Sequence, residues 1–355
     1  MEQKDLRVTN ALLGLLVMFA LGVLLHELQS VLLPFVLALF LSYIFKPVVL
    51  FLRKWRVPSV LALLVVLIVI SGLFFGLGAI IYASIESFVQ EAPKYQEKLA
   101  RIVRDLTLVA DDLAARIGVK PENVGLTDLV DVSALTGIIT ASAGSFVSGV
   151  GNSVLVILLM FFILAGSGNL SAKVRHAFAA RHSERLAAVI EGIDRKVRQY
   201  LIAKTLISLG TGAVTTIILL LFGVDFALLW GFLTFLLNFI PNFGSIVSVI
   251  FPVVIALLQF DSASSALILL VLLVATQMVM GNVIEPKLME FSLDLSPLLV
   301  LVALIFWGWL WGVWGMILAV PMMSILKIIF ENVDTLRPIG MIMSGKIPGG
   351  RNGAR

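Results

Sequence analysis

The chain has 355 residues, 60% of them hydrophobic and 14% charged, with a mean hydropathy of +1.07. Soluble domains are about 45–50% apolar and 25% charged, so this composition excludes an ordinary soluble protein and implies a polytopic membrane protein. A net charge of +4 carried in short loops excludes a nucleic-acid footprint, and the absence of cysteine excludes disulfides and thiolate metal sites.

The first apolar run, residues 10–25, lies near the short end of the length a membrane helix needs, and it lacks a small-residue cleavage site, so it reads as a retained anchor. A second run covers 31–45 and is followed by Lys46, Arg53, Lys54 and Arg56, cations that predict a cytoplasmic loop. A third covers 59–82, which makes 1–82 a block of N-terminal transmembrane helices acting as a scaffold. Residues 83–143 are polar enough to leave the bilayer. Within them Tyr95, Leu99, Ile102, Leu106, Val109 and Leu113 recur at steps of four and three, one apolar stripe on a helix expected to pack on its own protomer. Residues 144–170 hold a fourth transmembrane helix that ends at Gly166-Ser167-Gly168-Asn169, and 171–200 read as a cytoplasmic interfacial amphipathic helix.

The region 201–330 departs from plain membrane spans. It opens with a span over 201–223 that carries Lys204 one turn inside its start, where a snorkelling anchor is the simplest role. An uncharged run from 226 to 258 is then interrupted by Asn238, Pro241, Asn242, Gly244 and Ser245. Its first arm would rise only about 22 Å, short of the roughly 30 Å hydrocarbon core. A re-entrant hairpin or one kinked, tilted span both fit. A span over 262–280 follows, then Gly281 to Lys287, then a second uncharged run over 297–326 that holds Gly308, Gly312, Gly315 and Pro321 among four tryptophans. A single span plus a broken run therefore occurs twice. If both runs are hairpins the two units have opposite orientation, an inverted repeat of the transporter kind. The basic tail, 331–355, is expected in the cytoplasm.

Enzyme chemistry finds little support. Gly340 to Lys346 has the spacing of a phosphate-binding loop but continues with Ile347 and lacks a preceding strand. His26, His176 and His182 lie outside the apolar spans, and no HExxH occurs. What remains in or beside the spans is an uncharged polar set, Asn238, Asn242, Ser245, Ser248, Thr276, Gln277 and Asn282, together with Glu285. Amides and hydroxyls suit a small polyhydroxylated solute better than a metal or a bare anion. They also suit the repair of backbone freed at Pro241 and Pro286. Lys204, Asp225 and Glu285 are the ion-coupling candidates, and the bland partner for Glu285 is Lys287. No cofactor, metal site or catalytic residue is expected.

Three stretches carry a family resemblance: Asn238-Phe239-Ile240-Pro241-Asn242-Phe243-Gly244, Gly281-Asn282-Val283-Ile284-Glu285-Pro286-Lys287, and Phe306-Trp307-Gly308-Trp309-Leu310 through Gly315 to Pro321. They resemble the signature blocks of the autoinducer-2 exporter family. Lys54-Trp55-Arg56-Val57-Pro58 and Tyr200-Leu201-Ile202-Ala203-Lys204-Thr205 are similar to the branch of the autoinducer-2 exporter itself. The likeness covers nearly the whole chain, is specific in its C-terminal half, and departs at Met289-Glu290-Phe291, where the family more often has a glycine and a basic residue. The resemblance implies an all-α polytopic protein of the bacterial inner membrane with about eight transmembrane segments and both termini cytoplasmic. It further implies a homo-oligomer, pentameric in that branch, exporting autoinducer-2 without ATP. Other members exchange sodium or lithium for protons, so a coupling cation or proton is an expected partner. A non-transporting membrane scaffold is the reading from another class.

Overall fold

The computed structural model describes residues 2–117, 153–166, 180–289 and 294–345. Parts of the expected regions 83–143, 144–170 and 171–200 (residues 118–152 and 167–179, Ser167 to Asn169 among them) and the tail cations Lys346, Arg351 and Arg355 lie outside them. Every regular element among the described residues is a helix: α1 Glu2–Glu27, α2 Gln29–Lys54, α3 Ser59–Ile117, α4 Ser153–Gly166, α5 Ala180–Phe222, α6 Ala227–Leu237, α7 Phe243–Gln259, α8 Ala263–Val279, α9 Glu285–Leu288, α10 Pro297–Asn332 and α11 Arg337–Ile342. A bilayer leaves no other choice for an open chain, since each backbone N–H and C=O must be satisfied within its own segment. Among the described residues, five helices are long and apolar enough to cross a membrane. Large apolar side chains such as Leu221 (80% exposed) and Leu298 (71%) face outward, as lipid contact requires.

Hydropathy changes along two helices without breaking them. The expected third span and the stripe that begins at Tyr95 belong to one helix, α3, whose 59 residues extend roughly 88 Å. The expected interfacial helix and fifth span likewise share α5, which has 43 residues. Both helices run on across these points, α3 even through Pro93, and only the side-chain composition changes.

The chain divides into two compact units. Unit 1 comprises residues 1–70, 153–207 and 283–355. Its core joins Ala38 and Val49 of α2, Ala62, Val66 and Ile70 of α3, and Val156, Met160 and Leu164 of α4; the two alanines let neighbouring helices approach closely. Unit 2 comprises 71–152 and 208–282, with Leu219, Val249, Ile255, Ala256, Ala266, Leu269 and Leu273 at its centre and Phe88 and Trp230 packed against them.

Each unit contains a helical hairpin. In unit 2, α6 and α7 run antiparallel. At the base, Gln259 accepts from the Asp225 N–H (2.9 Å) and donates to the Gly223 carbonyl (2.7 Å). Midway, the rings of Trp230 and Phe251 stack with centroids 5.9 Å apart. At the tip Gly244 lies so close to Leu237 that a Cβ would fall onto the Leu237 carbonyl. With 11 and 17 residues, the arms reach only about 16 and 26 Å. This geometry is a hairpin and not a single kinked span.

In unit 1, α10 consists of two helical arms joined where the backbone leaves helical geometry at Trp311 (φ −130°, ψ 18°) and Gly312 (φ 61°, ψ −143°). A straight helix would separate Asp294 from Lys327 by about 50 Å. Instead Lys327 Nζ donates to the Asp294 carbonyl at 2.6 Å. Gly315 abuts the Trp307 carbonyl as Gly244 abuts that of Leu237. The second broken run is therefore also folded back, and its 36 residues do not form one long span.

Candidate functional site

The tip of the first hairpin is built by the end of α6. Asn238 still donates its N–H to the Thr234 carbonyl (2.9 Å), so the helix persists to that point. Pro241 then stops it, and the Phe243 N–H turns back onto the Pro241 carbonyl (2.7 Å). Asn242, the residue between, has φ 63° and ψ −53°, the positive-φ form of a γ-turn, which is rare and strained. Asparagine tolerates that region better than most side chains.

Polar side chains gather around this turn. Asn238, 7% exposed, donates from Nδ2 to Ser208 Oγ at 3.0 Å, tying the hairpin to α5. Ser248 Oγ donates to the Ser245 carbonyl (2.9 Å) and accepts from Gln277 Nε2 (2.9 Å), tying α7 to α8. Thr276 bonds its own helix at Leu272. Asn242 is exposed, and its amide makes no hydrogen bond among the described residues. Ser248 thus repairs backbone, Asn238 and Gln277 join helices, and Asn242 offers two donors and an acceptor to whatever reaches the tip.

Unit 1 holds a buried charge pair. Lys204 Nζ of α5 meets Glu285 Oε1 at 2.5 Å, with side chains 4% and 25% exposed. Lys204 is therefore not a snorkelling anchor, and Glu285 pairs with it and not with Lys287, which is exposed. The reason lies just upstream. Pro286 supplies no N–H to the preceding turn, and the chain accommodates this with a π-helical turn, Met280–Ile284, which resets the phase of the helix where α9 begins. Asn282, within that turn, and Pro286 are exposed. Tyr200, buried one turn before Lys204, lies within electrostatic reach of Glu285, and the buried Thr205 Oγ1 has no hydrogen-bond partner among the described residues.

Asp225, the third ion-coupling candidate, belongs to unit 2, where it serves the base of the first hairpin. Tyr95 donates its hydroxyl to Asp225 Oδ2 (2.7 Å), and the Phe88 ring packs on both Tyr95 and Phe226. One turn on, Lys98 Nζ reaches the Phe260 carbonyl (2.5 Å) and Asp261 Oδ1 (2.8 Å). The Lys98 hydrogen bond and charge hold the Asp261 carboxyl below its usual range. The first half of the α3 stripe, buried at Tyr95 and half-buried at Leu99 and Ile102, thus packs within its own chain; the side chains of Leu106, Val109 and Leu113 lie outside the described ones. Sequence reasoning missed Ser208, Lys98 and Gln259 as partners of the hairpin. A serine in an apolar helix, a lysine on an amphipathic helix and a glutamine at a helix end are too common to single out, and their partners lie 30 to 163 residues away.

A family-wide sequence profile described as AI-2E family transporter matches residues 13–335. The chain is 33% identical over 333 residues to the AI-2 transport protein TqsA of Escherichia coli, covering 94% of each chain. It is 31% identical to a protein of Haemophilus influenzae over 93% of this chain and 94% of that one, and 30% identical to a protein of Borreliella burgdorferi over 89% and 85%. Both of these are named for transport without a substrate.

Proposed function

The chain belongs to the AI-2E transporter family, a family of multi-pass membrane transporters, and we propose that this member is a secondary, ATP-independent exporter of autoinducer-2 or a similarly small hydroxyl-rich solute. The observation that carries the reading is the first hairpin tip. Broken backbone at membrane depth is tolerated only where it is buried in protein or lines a cavity. Here the break presents uncharged amides, Asn238 and Asn242, with Ser245 and Gln277 nearby in sequence or bonding, and no fixed charge. Such a surface matches neutral hydroxyls by exchanging donors and acceptors. The relative named for AI-2 transport supports the same cargo. The setting proposed is the bacterial inner membrane, with both termini cytoplasmic and the chain assembled as a homo-oligomer, a pentamer.

A second reading, sodium or lithium/proton antiport, is favoured by the Lys204–Glu285 pair, since ionisable groups inside apolar spans are expensive and mark ion pathways. A liposome flux assay under an imposed proton gradient separates the two. Export predicts autoinducer-2 movement that is lost in Asn242→Ala and indifferent to sodium. Sodium-driven proton movement with no autoinducer-2 flux would refute it in favour of antiport.

A further inference from the structure

At the end of α2 the chain turns through a helix-stop motif in which the Arg56 N–H bonds the Arg53 carbonyl (3.0 Å) and the Val57 N–H bonds the Leu52 carbonyl (3.3 Å). This motif places one residue in the left-handed region, a position usually filled by glycine where helices end this way. Here the residue is Arg56, with φ 62°. An arginine held where its backbone is disfavoured points to a use for its side chain. A topology signal gives no such reason, because the positive-inside tendency counts cations in a loop and is indifferent to which backbone position bears them.

The surroundings show the use. Phe51, Lys54, Trp55 and Arg56 line an open hollow of about 520 Å³. The rings of Phe51 and Trp55 pair at 5.9 Å, and Trp55 is 71% exposed. Arg53, Lys54 and Arg56 have no acidic partner among the described residues, and the sequence has no acidic residue between Glu27 and Glu86. Lys46, about two turns earlier in α2, is already paired with Asp194 at 3.3 Å. The hollow lies at the end of α2, a helix long and apolar enough to cross a membrane, and aromatic residues and cations at such an end are the ones that meet lipid headgroups.

We infer that this corner is a binding site for one anionic phospholipid, whose phosphodiester is held by Arg56 with Arg53 and Lys54 and whose glycerol and upper acyl carbons rest on Phe51 and Trp55. Arginine binds phosphate oxygens through a planar fork, and the aromatic floor gives the lipid's apolar part a surface that inorganic phosphate could not use. The proposal does not depend on the cargo.

The test titrates the purified full-length protein, in neutral detergent, with phosphatidylglycerol, phosphatidylcholine or inorganic phosphate, and reads the shift in unfolding temperature. The parent is expected to respond to phosphatidylglycerol alone. Arg56→Gly keeps the turn and relieves its backbone, so its unfolding temperature without anionic lipid should equal or exceed the parent's. Its half-saturating phosphatidylglycerol concentration should rise about fivefold, the worth of one cation at a lipid surface. Equal response to phosphatidylcholine, an unchanged midpoint in Arg56→Gly, or an equal shift with inorganic phosphate would each overturn the assignment. So would a change in oligomer mass in Arg56→Gly without lipid, which would give the corner to a second copy of the chain.

Discussion

Substituting the Lys204–Glu285 pair from each side, and then from both, separates a structural ion pair from a coupling site. Glu285→Gln keeps the size of the side chain but strands a lysine whose side chain is 4% exposed. Breaking a buried pair from one side costs about 3–5 kcal/mol. Lys204→Met strands a carboxylate that is 25% exposed, which water reaches, so its loss should be smaller, about 1–2 kcal/mol. The double variant removes both charges and should return to within about 1 kcal/mol of the parent, because neither desolvation penalty remains. Unfolding in mixed micelles, followed by tryptophan fluorescence, measures all three, with efflux assayed in the same preparations. Equal single effects, or a double effect equal to their sum, would refute the buried-pair reasoning. If the double variant is stable yet does not transport, the pair takes part in coupling; if transport returns with stability, the pair only holds α5 to α9.

Two further outcomes follow from the hairpins. Gly244→Ala and Gly315→Ala each drive a methyl into a carbonyl of the opposite arm and should each lower stability by about 1–3 kcal/mol in the same unfolding assay. Gly72→Ala and Gly76→Ala in α3, with nothing within 4 Å, should be neutral or stabilising by up to about 1 kcal/mol. The Lys98–Asp261 contact should respond to acid. Because the Asp261 carboxyl is held below its usual range, the contact is fully formed above the unfolded carboxylate value of about 4 and is lost as pH falls through the lower folded value. Amide exchange of residues 94–102 should therefore quicken in acid, after correction for intrinsic rates, in the parent and not in Asp261→Asn.

The break at Asn238 to Gly244 was legible in the sequence because proline and glycine have few roles inside an apolar run. Its fold as a hairpin was not, since a kink uses the same residues. What decides between them is Gln259 closing the base and Leu237 meeting Gly244 at the tip. The second run was less legible still. Three glycines allow a bend anywhere, and the reversal is fixed by Lys327 reaching Asp294, 33 residues away. Lys204 was misread because its position near a helix start indicates snorkelling, whereas its partner is 81 residues on. In each case local sequence marks where the backbone can break, and a distant side chain determines what the break becomes.

That division explains why the cargo-facing residues are the hardest to read. Each hairpin reverses at a positive-φ residue, Asn242 or Gly312, and each lets its arms touch through a glycine just beyond. Their bases are held by side chains bonded to backbone, Gln259 and Lys98 in one and Lys327 in the other. Amides, hydroxyls and two lysines therefore do the structural work of closing freed backbone, and these are the same groups that would hold a polar solute. Asn238 has its side-chain donor engaged with Ser208, while the Asn242 side-chain amide has neither donor nor acceptor engaged among the described residues. Of the two asparagines, Asn242 is thus the one whose removal should cost transport without loosening the hairpin, and Asn238 the one whose removal should do both.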